Sequence, residues 1–142
     1  MLPTFPLLLV IDTNVLFEGL TKQGNAASLI IDAWLAELFQ AQVSNALAYE
    51  YTDVFSRKLS YERWQRIQPV LGTLLSKAQF VNIYYSWRPT SPDPGDDHVI
   101  DCAMNANATL VTSNIKDFKR AKSALGLRVM TPVELVTQLS EK

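Results

Sequence analysis

The sequence is poor in the residues that small proteins use as staples. It has one cysteine, Cys102, and one histidine, His98, in 142 residues. A lone cysteine excludes an internal disulfide framework and a multi-cysteine zinc site. A lone histidine excludes most histidine-built metal centres and argues against a Ser-His-Asp triad. An excess of either charge is missing too: 13 Lys and Arg against 14 Asp and Glu leave a net charge of −1. That balance excludes a strongly basic, histone-like binder of nucleic acid. It leaves a nuclease open, because a metal ion can supply the missing positive charge. Long apolar runs are absent. Leu7 to Ile11, near the N-terminus, falls far short of the ~20 residues that cross a bilayer. No Lys or Arg precedes it and Asp12 ends it, so it makes a poor signal peptide. The expectation is a soluble, cytoplasmic protein without a membrane association.

The residues present describe a folded chain. A hydrophobic fraction of 48% against 19% charged excludes intrinsic disorder. The length suits a single domain, 1–142. Leu7-Leu8-Leu9-Val10-Ile11 reads as a strand buried on both faces. Asn25 to Phe39 carries apolar residues at three- and four-residue spacing and reads as a helix. A short strand is expected at Gln42-Val43-Ser44 and a helix over Asn45 to Arg57, capped by Ser44 or Asn45. A helix interrupted near Pro69 is expected over Tyr61 to Leu75, then a strand over Phe80 to Tyr84. Pro89, Pro92, Pro94 and Gly95 make 88–95 a loop. A helix over Asp96 to Asn107 and strands at Thr109 to Thr112 and Arg128 to Met130 follow. Thr131-Pro132-Val133-Glu134 opens a last helix with a capping box. Strands alternating with helices predict an α/β fold, a parallel sheet with helices on both faces.

Ligands of open parallel sheets bind beyond the carboxyl ends of the strands. At those exits the sequence places Asp12, Thr13 and Asn14; then Glu50; then Asp96 and Asp97; then Thr112, Ser113 and Asn114, with Asp117 beyond. Carboxylates gathered in one cleft repel one another, and a hard divalent cation removes the conflict. Such an ion polarises a phosphoryl oxygen and generates a hydroxide near neutral pH. Four acids from four segments therefore suggest metal-dependent phosphodiester hydrolysis. Helix phase at about 100° per residue puts Asp96 in line with Val99, Ile100 and Ala103, the expected buried stripe, with Asp97 off it and Asp101 at the surface. Asp96 and Asp97 both remain candidates for the third acid. Asp12 has a plain alternative, capping the turn that starts at Thr13. Glu50 borders the apolar stripe of Leu47, Tyr51, Val54 and Phe55, and Asp53 is expected to be solvated. Asn14, Thr112 and Asn114 suit hydrogen bonding to a carboxylate or water. Cys102 reads as a core residue and His98 as a surface one. Arg57, Lys58, Arg63 and Arg66, interleaved with Tyr61 and Trp64, are candidates for a nucleic-acid track, as are Lys116, Lys119, Arg120 and Lys122. Trp34, Leu38, Tyr84, Tyr85 and Trp87 are candidates for a dimer face or for the core.

These segments are similar to a known family. Leu8-Leu9-Val10-Ile11-Asp12-Thr13-Asn14-Val15-Leu16 resembles the opening of PIN-domain ribonucleases, whose first metal-binding acid follows strand one. Ala48-Tyr49-Glu50-Tyr51-Thr52-Asp53-Val54-Phe55 resembles the segment of their second acid, and Asp93-Pro94-Gly95-Asp96-Asp97-His98-Val99-Ile100 that of the third. Leu110-Val111-Thr112-Ser113-Asn114 with Asp117-Phe118 resembles the fourth. Val129-Met130-Thr131-Pro132-Val133-Glu134-Leu135 resembles the closing strand and helix. The pattern is closest to the toxin components of bacterial toxin–antitoxin pairs. The resemblance implies a three-layer α/β/α sandwich, Mg²⁺ or Mn²⁺, cleavage of single-stranded RNA, a homodimer and a cognate antitoxin. Where the family often has Asp, this chain has Asn114, and Asp117 is the candidate substitute. Two other readings stand beside this one. A catalytically impaired module would keep the fold and grip RNA or a protein. A phosphatase using Asp12 as nucleophile would want a second Asp where this chain has Asn14.

Overall fold

Leu8–Ile11 forms the first strand, β1, apolar throughout and almost wholly buried. The computed structural model describes residues 7–86 and 96–141, so the expected loop at 88–95, Asp93 and Trp87 lie outside the described residues. After β1 come helix α1 (Thr13–Thr21), helix α2 (Ala26–Leu35) and strand β2 (Gln40–Val43). Helices α3 (Asn45–Lys58) and α4 (Tyr61–Ser76) then lead to a short strand β3 (Gln79–Phe80). The remainder runs through α5 (Asp96–Ala106), β4 (Thr109–Val111), a 3-10 turn (Ile115–Phe118), α6 (Lys119–Leu125), β5 (Val129–Met130) and α7 (Pro132–Ser140). The sheet has five strands in the order β3-β2-β1-β4-β5, all pairs parallel.

That order fixes where a ligand belongs. The chain moves from β1 outward through β2 to β3, then returns to the other side of β1 for β4 and β5. The direction reverses beside β1, and the crevice between β1 and β4 is the switch point of the sheet. Right-handed crossovers running in opposite directions place their helices on opposite faces, which yields the expected three-layer α/β/α sandwich. The core follows from it: β1, β2 and β4 contribute Leu9, Val10, Ile11, Ala41, Val43, Leu110 and Val111, covered by Ile30, Trp34, Leu47, Phe55, Leu74 and Ile100 from the helices.

Local signals end the elements where physical chemistry expects. The Asn25 side chain accepts from Ser28 N–H and the Ser28 hydroxyl oxygen accepts from Asn25 N–H in return, closing a capping box on α2. Ser44 caps α3 through Leu47 N–H. Thr131 and Glu134 form the expected box on α7, with Pro132 at the first position. The Glu134 carboxyl is held below the usual carboxylate range, chiefly by its bonds from Thr131.

Several expectations are corrected. Helix α4 continues through Pro69 without interruption. Pro69 and Gln65, whose carbonyl loses its intrahelical donor, are both exposed, so water can serve the orphan. The strand expected over Phe80 to Tyr84 ends at Phe80. The following segment is held instead by Asn105, whose side chain accepts from Tyr84 and Tyr85 N–H and donates to the Tyr85 carbonyl. Helix α1, the 3-10 turn and α6 had no counterpart among the expected elements. Trp34 lies in the core, 1% exposed, with its indole N–H on the Leu74 carbonyl at 3.0 Å, so it cannot belong to a dimer face.

Candidate active site

Asp12 is the first residue beyond β1 and its backbone N–H still bonds to Val111 of β4. It occupies the cap position of α1, yet its side chain makes no capping bond. Instead Thr112, the first residue beyond β4, donates its hydroxyl to Asp12 Oδ2 at 2.7 Å. Thr112 is fully buried and Asp12 only 5% exposed. A carboxylate that close to the core needs donors to stay charged, and this bond crosses the switch point itself. The reading of Asp12 as a mere cap is therefore not what its side chain does.

Glu50 arrives from α3 and is half-buried. Thr13, the residue after Asp12, donates its hydroxyl to Glu50 Oε2 at 2.8 Å. One residue further along α3, the buried Tyr51 hydroxyl donates to the carbonyl of Ile11, the residue before Asp12. Burial pushes the Tyr51 phenol well above its ordinary range, and the Cys102 sulfur, Asp12 and Glu50 push the same way. Both candidate carboxylates thus act on a single phenol at the carboxyl edge of β1.

The fourth exit continues the same network. Thr112 Oγ1 accepts from Asn114 N–H at 3.0 Å, and the Asn114 amide donates to Asp117 Oδ2 at 2.5 Å. Asp12, Thr112, Asn114 and Asp117 are therefore linked in series, although they stand up to 105 positions apart (117 − 12 = 105). Asn14 is exposed on α1.

Helix α5 departs from the expected phase. Asp97 and Asp101 are each 4% exposed, whereas Asp96 is only half-buried. The helix packs on β1, β2 and β4 and also against α3, so more than one of its sides is covered. A stripe model with one buried face therefore placed Asp101 wrongly at the surface and Asp97 off the buried side. Cys102 is in the core as expected, and burial pushes its thiol up to about 12. His98 is half-buried.

The basic candidates divide. Lys116 and Lys119 are exposed in and just after the 3-10 turn, on the segment that leaves the switch point. Lys58 lies eight residues along α3 from Glu50, about 12 Å of helix rise. Its ammonium sits 5.3 Å over the Phe17 ring. Arg57 is paired with Asp53 at 2.9 Å, and Trp64 is half-buried beside Phe55. Tyr84 and Tyr85 are exposed, and Leu38 lies on the rim of an apolar groove of about 360 Å³ between α2 and α7.

Among the described residues no three His, Cys, Asp or Glu side chains are grouped to hold an ion by themselves. Mg²⁺, however, commonly takes one or two carboxylates, keeps several waters and leaves positions for phosphate oxygens. The Asp12 and Glu50 pair is an all-oxygen donor set of that kind. Of the hydroxyls that serve the site, Thr13 was expected at the first strand exit but given no role, and Tyr51 was not expected there at all. The available signal for Thr13 was a hydroxyl directly after the first acid; for Tyr51 there was none, because it lies on the apolar stripe.

Fold and edge together define a parallel α/β protein with acidic and hydroxyl side chains converging at its switch point. A family profile described as the PIN domain matches residues 8–116, and the chain belongs to the PIN-domain family. Among solved structures it is similar to VapBC2 from Rickettsia felis bound to a DNA fragment from its promoter, at 17% identity over 88% of this chain and 98% of that one, TM-score 0.64. It is also similar to FitAcB from Neisseria gonorrhoeae, at 19% identity over 87% and 97%, TM-score 0.62. VapBC-1 from nontypeable Haemophilus influenzae is 17% identical over 89% and 99%, TM-score 0.58. At such identities the likeness establishes the shared fold. No curated protein matches the sequence. No described helix is long and apolar enough to cross a membrane.

Proposed function

We propose that this PIN-domain protein is a divalent-metal-dependent endoribonuclease acting on single-stranded RNA, and the toxin of a toxin–antitoxin pair. The observation that carries the reading is the threonine-braced pair Asp12 and Glu50 at the switch point. These two carboxylates would hold Mg²⁺ or Mn²⁺, with water and phosphate oxygens filling the other positions and with Asp96 or Asp97 from the first turn of α5 and Asp117 acting through those waters. The ion supplies positive charge to the phosphate and acidity to water. The chain's own part is to hold the carboxylates still. Thr13 and Thr112 donate their hydroxyls to Glu50 and Asp12 and so fix one oxygen of each carboxylate. Asn114 does the same for Asp117. Lys116 and Lys119 stand closer to this edge along the chain than Arg57 and Lys58 stand to Glu50, and we assign them the RNA backbone. Water would attack directly, so no covalent enzyme intermediate forms.

The toxin assignment rests on the VapBC and FitAcB neighbours and brings with it a cognate antitoxin, a homodimer and a cytoplasmic setting. The Asn114 amide, bonded to Asp117 where the family often has an acid, favours the second reading, an impaired module that grips RNA without cutting it. One experiment separates them. Single-stranded RNA is incubated with wild type and Asp12→Asn in Mg²⁺, Mn²⁺ or EDTA. The nuclease reading expects cleavage by wild type alone, lost in EDTA and reduced at least a hundredfold by the substitution. Equal cleavage by both proteins ends it; chelator-indifferent RNA binding without cleavage selects the module.

A further inference from the structure

Strands β1 and β2 part just before Asp12, the first acid of the site. Their register pairs Leu8 with Gln40 and Leu9 with Ala41. Continued in parallel, it would next bring the Ser44 N–H to the Ile11 carbonyl. In place of that bond, the Ile11 carbonyl accepts the Tyr51 hydroxyl. A side chain from α3 has taken the position of a neighbouring strand. Tyr51 is wholly buried, so water cannot stand in for its hydroxyl, and a buried carbonyl needs a donor.

The chain positions of this bond matter more than its burial. Ile11 immediately precedes Asp12, and Tyr51 immediately follows Glu50. The Thr13 hydroxyl makes a second tie, to Glu50 itself. Segments 11–13 and 50–51 are thereby fastened at two points, at the residues on each side of Asp12. Two like charges held near each other tend to spread, and the brace opposes that. We propose that Tyr51 is a positioning residue that fixes the Asp12–Glu50 separation for a small divalent cation; the inference rests on the metal-site reading above. The bond acts through the backbone, and Tyr51 itself donates nothing to the ion.

The cation's own geometry supplies the test. Mg²⁺ demands near-ideal octahedral contacts, whereas Ca²⁺ accepts six to eight oxygens in a flexible shell. Tyr51→Phe removes the hydroxyl alone. Calorimetric titration of Mg²⁺ and of Ca²⁺ into wild type and Tyr51→Phe is expected to show Mg²⁺ affinity falling about tenfold, in the range seen when partners of metal ligands are removed. Ca²⁺ affinity should change by less than about threefold. Equal losses for both ions, or no loss for either, overturn the positioning role while leaving the metal site standing. Failure of wild type to bind either ion overturns the metal reading and this inference together. A measurement on wild type covers the case in which Tyr51→Phe does not fold. With tyrosine rings isotopically labelled, Mn²⁺ should broaden the Tyr51 ring resonances before those of Tyr61 and Tyr84. Bound Mn²⁺ that leaves Tyr51 sharp overturns the proposal.

Discussion

Thr112→Val tests the bond that spans the switch point. Valine has almost the shape of threonine, so the change opens no cavity in a fully buried position. It deletes the donor that Thr112 gives Asp12 Oδ2 at 2.7 Å and the acceptor that Thr112 gives Asn114 N–H. The second loss is cheap, because Asn114 is exposed and water can replace the acceptor. The first removes a bond to a charged group, worth ~1.5–3 kcal/mol. At roughly 4 °C per kcal/mol for a domain of this size, Tm should fall by about 6–12 °C. The assay is thermal unfolding followed by circular dichroism in EDTA, with urea titration as a check on the free energy. Thr112→Ser keeps the hydroxyl and should recover most of the loss. A Tm for Thr112→Val within about 2 °C of wild type, or a Ser variant no better than Val, would refute the claim that this hydroxyl holds Asp12.

Two further outcomes follow from the same geometry. A Cβ added at Gly19 would meet the Ala27 carbonyl oxygen and Ile31 Cγ1 at 2.6 Å, whereas one added at Gly72 meets nothing within 4 Å. Gly19→Ala should therefore destabilise by about 1–3 kcal/mol through overpacking of α1 on α2, while Gly72→Ala stabilises α4 by up to about 1 kcal/mol; urea unfolding that moves both variants in one direction contradicts this. Cys102, wholly buried and with its thiol pushed up to about 12, should resist Ellman's reagent at pH 8 in the native state and release one thiol per chain in guanidinium. A folded-state value above the unfolded one favours the protonated thiol, so its contribution is intact below about pH 9 and is lost as pH rises towards 12. Tyr51 acts with the same sign above its ordinary range. Rapid native labelling, or stability that climbs above pH 9, would contradict the assignment.

The legibility of this chain differs from level to level. Leu7 to Ile11 could be read as a central strand because five apolar residues in a row admit little else. The Thr131 box, the Ser44 cap and the acids at successive strand exits were readable because each depends on residues within a few positions. Helix α1 was missed because Asp12-Thr13-Asn14 reads as a turn, and what holds α1 down is its packing on α2 at Gly19. Pro69 was read as a break because the sequence does not say that the orphaned carbonyl faces water. The phase of α5 failed for a similar reason. Periodicity finds one buried face, and α5 is covered by both the sheet and α3, which buries Asp97 and Asp101.

What the sequence alone determined was the alternation of strands and helices, the parallel α/β class, and the set of acids and amides near one edge of the sheet. Only the tertiary structure decided which of them touch. Thr112 reaches Asp12 across a separation of 100 residues, and Thr13 reaches Glu50 across 37. Hydrogen bonds of this kind leave no periodic trace in the chain, because their partners meet only once α3 has packed on α1 and β4 has been laid beside β1.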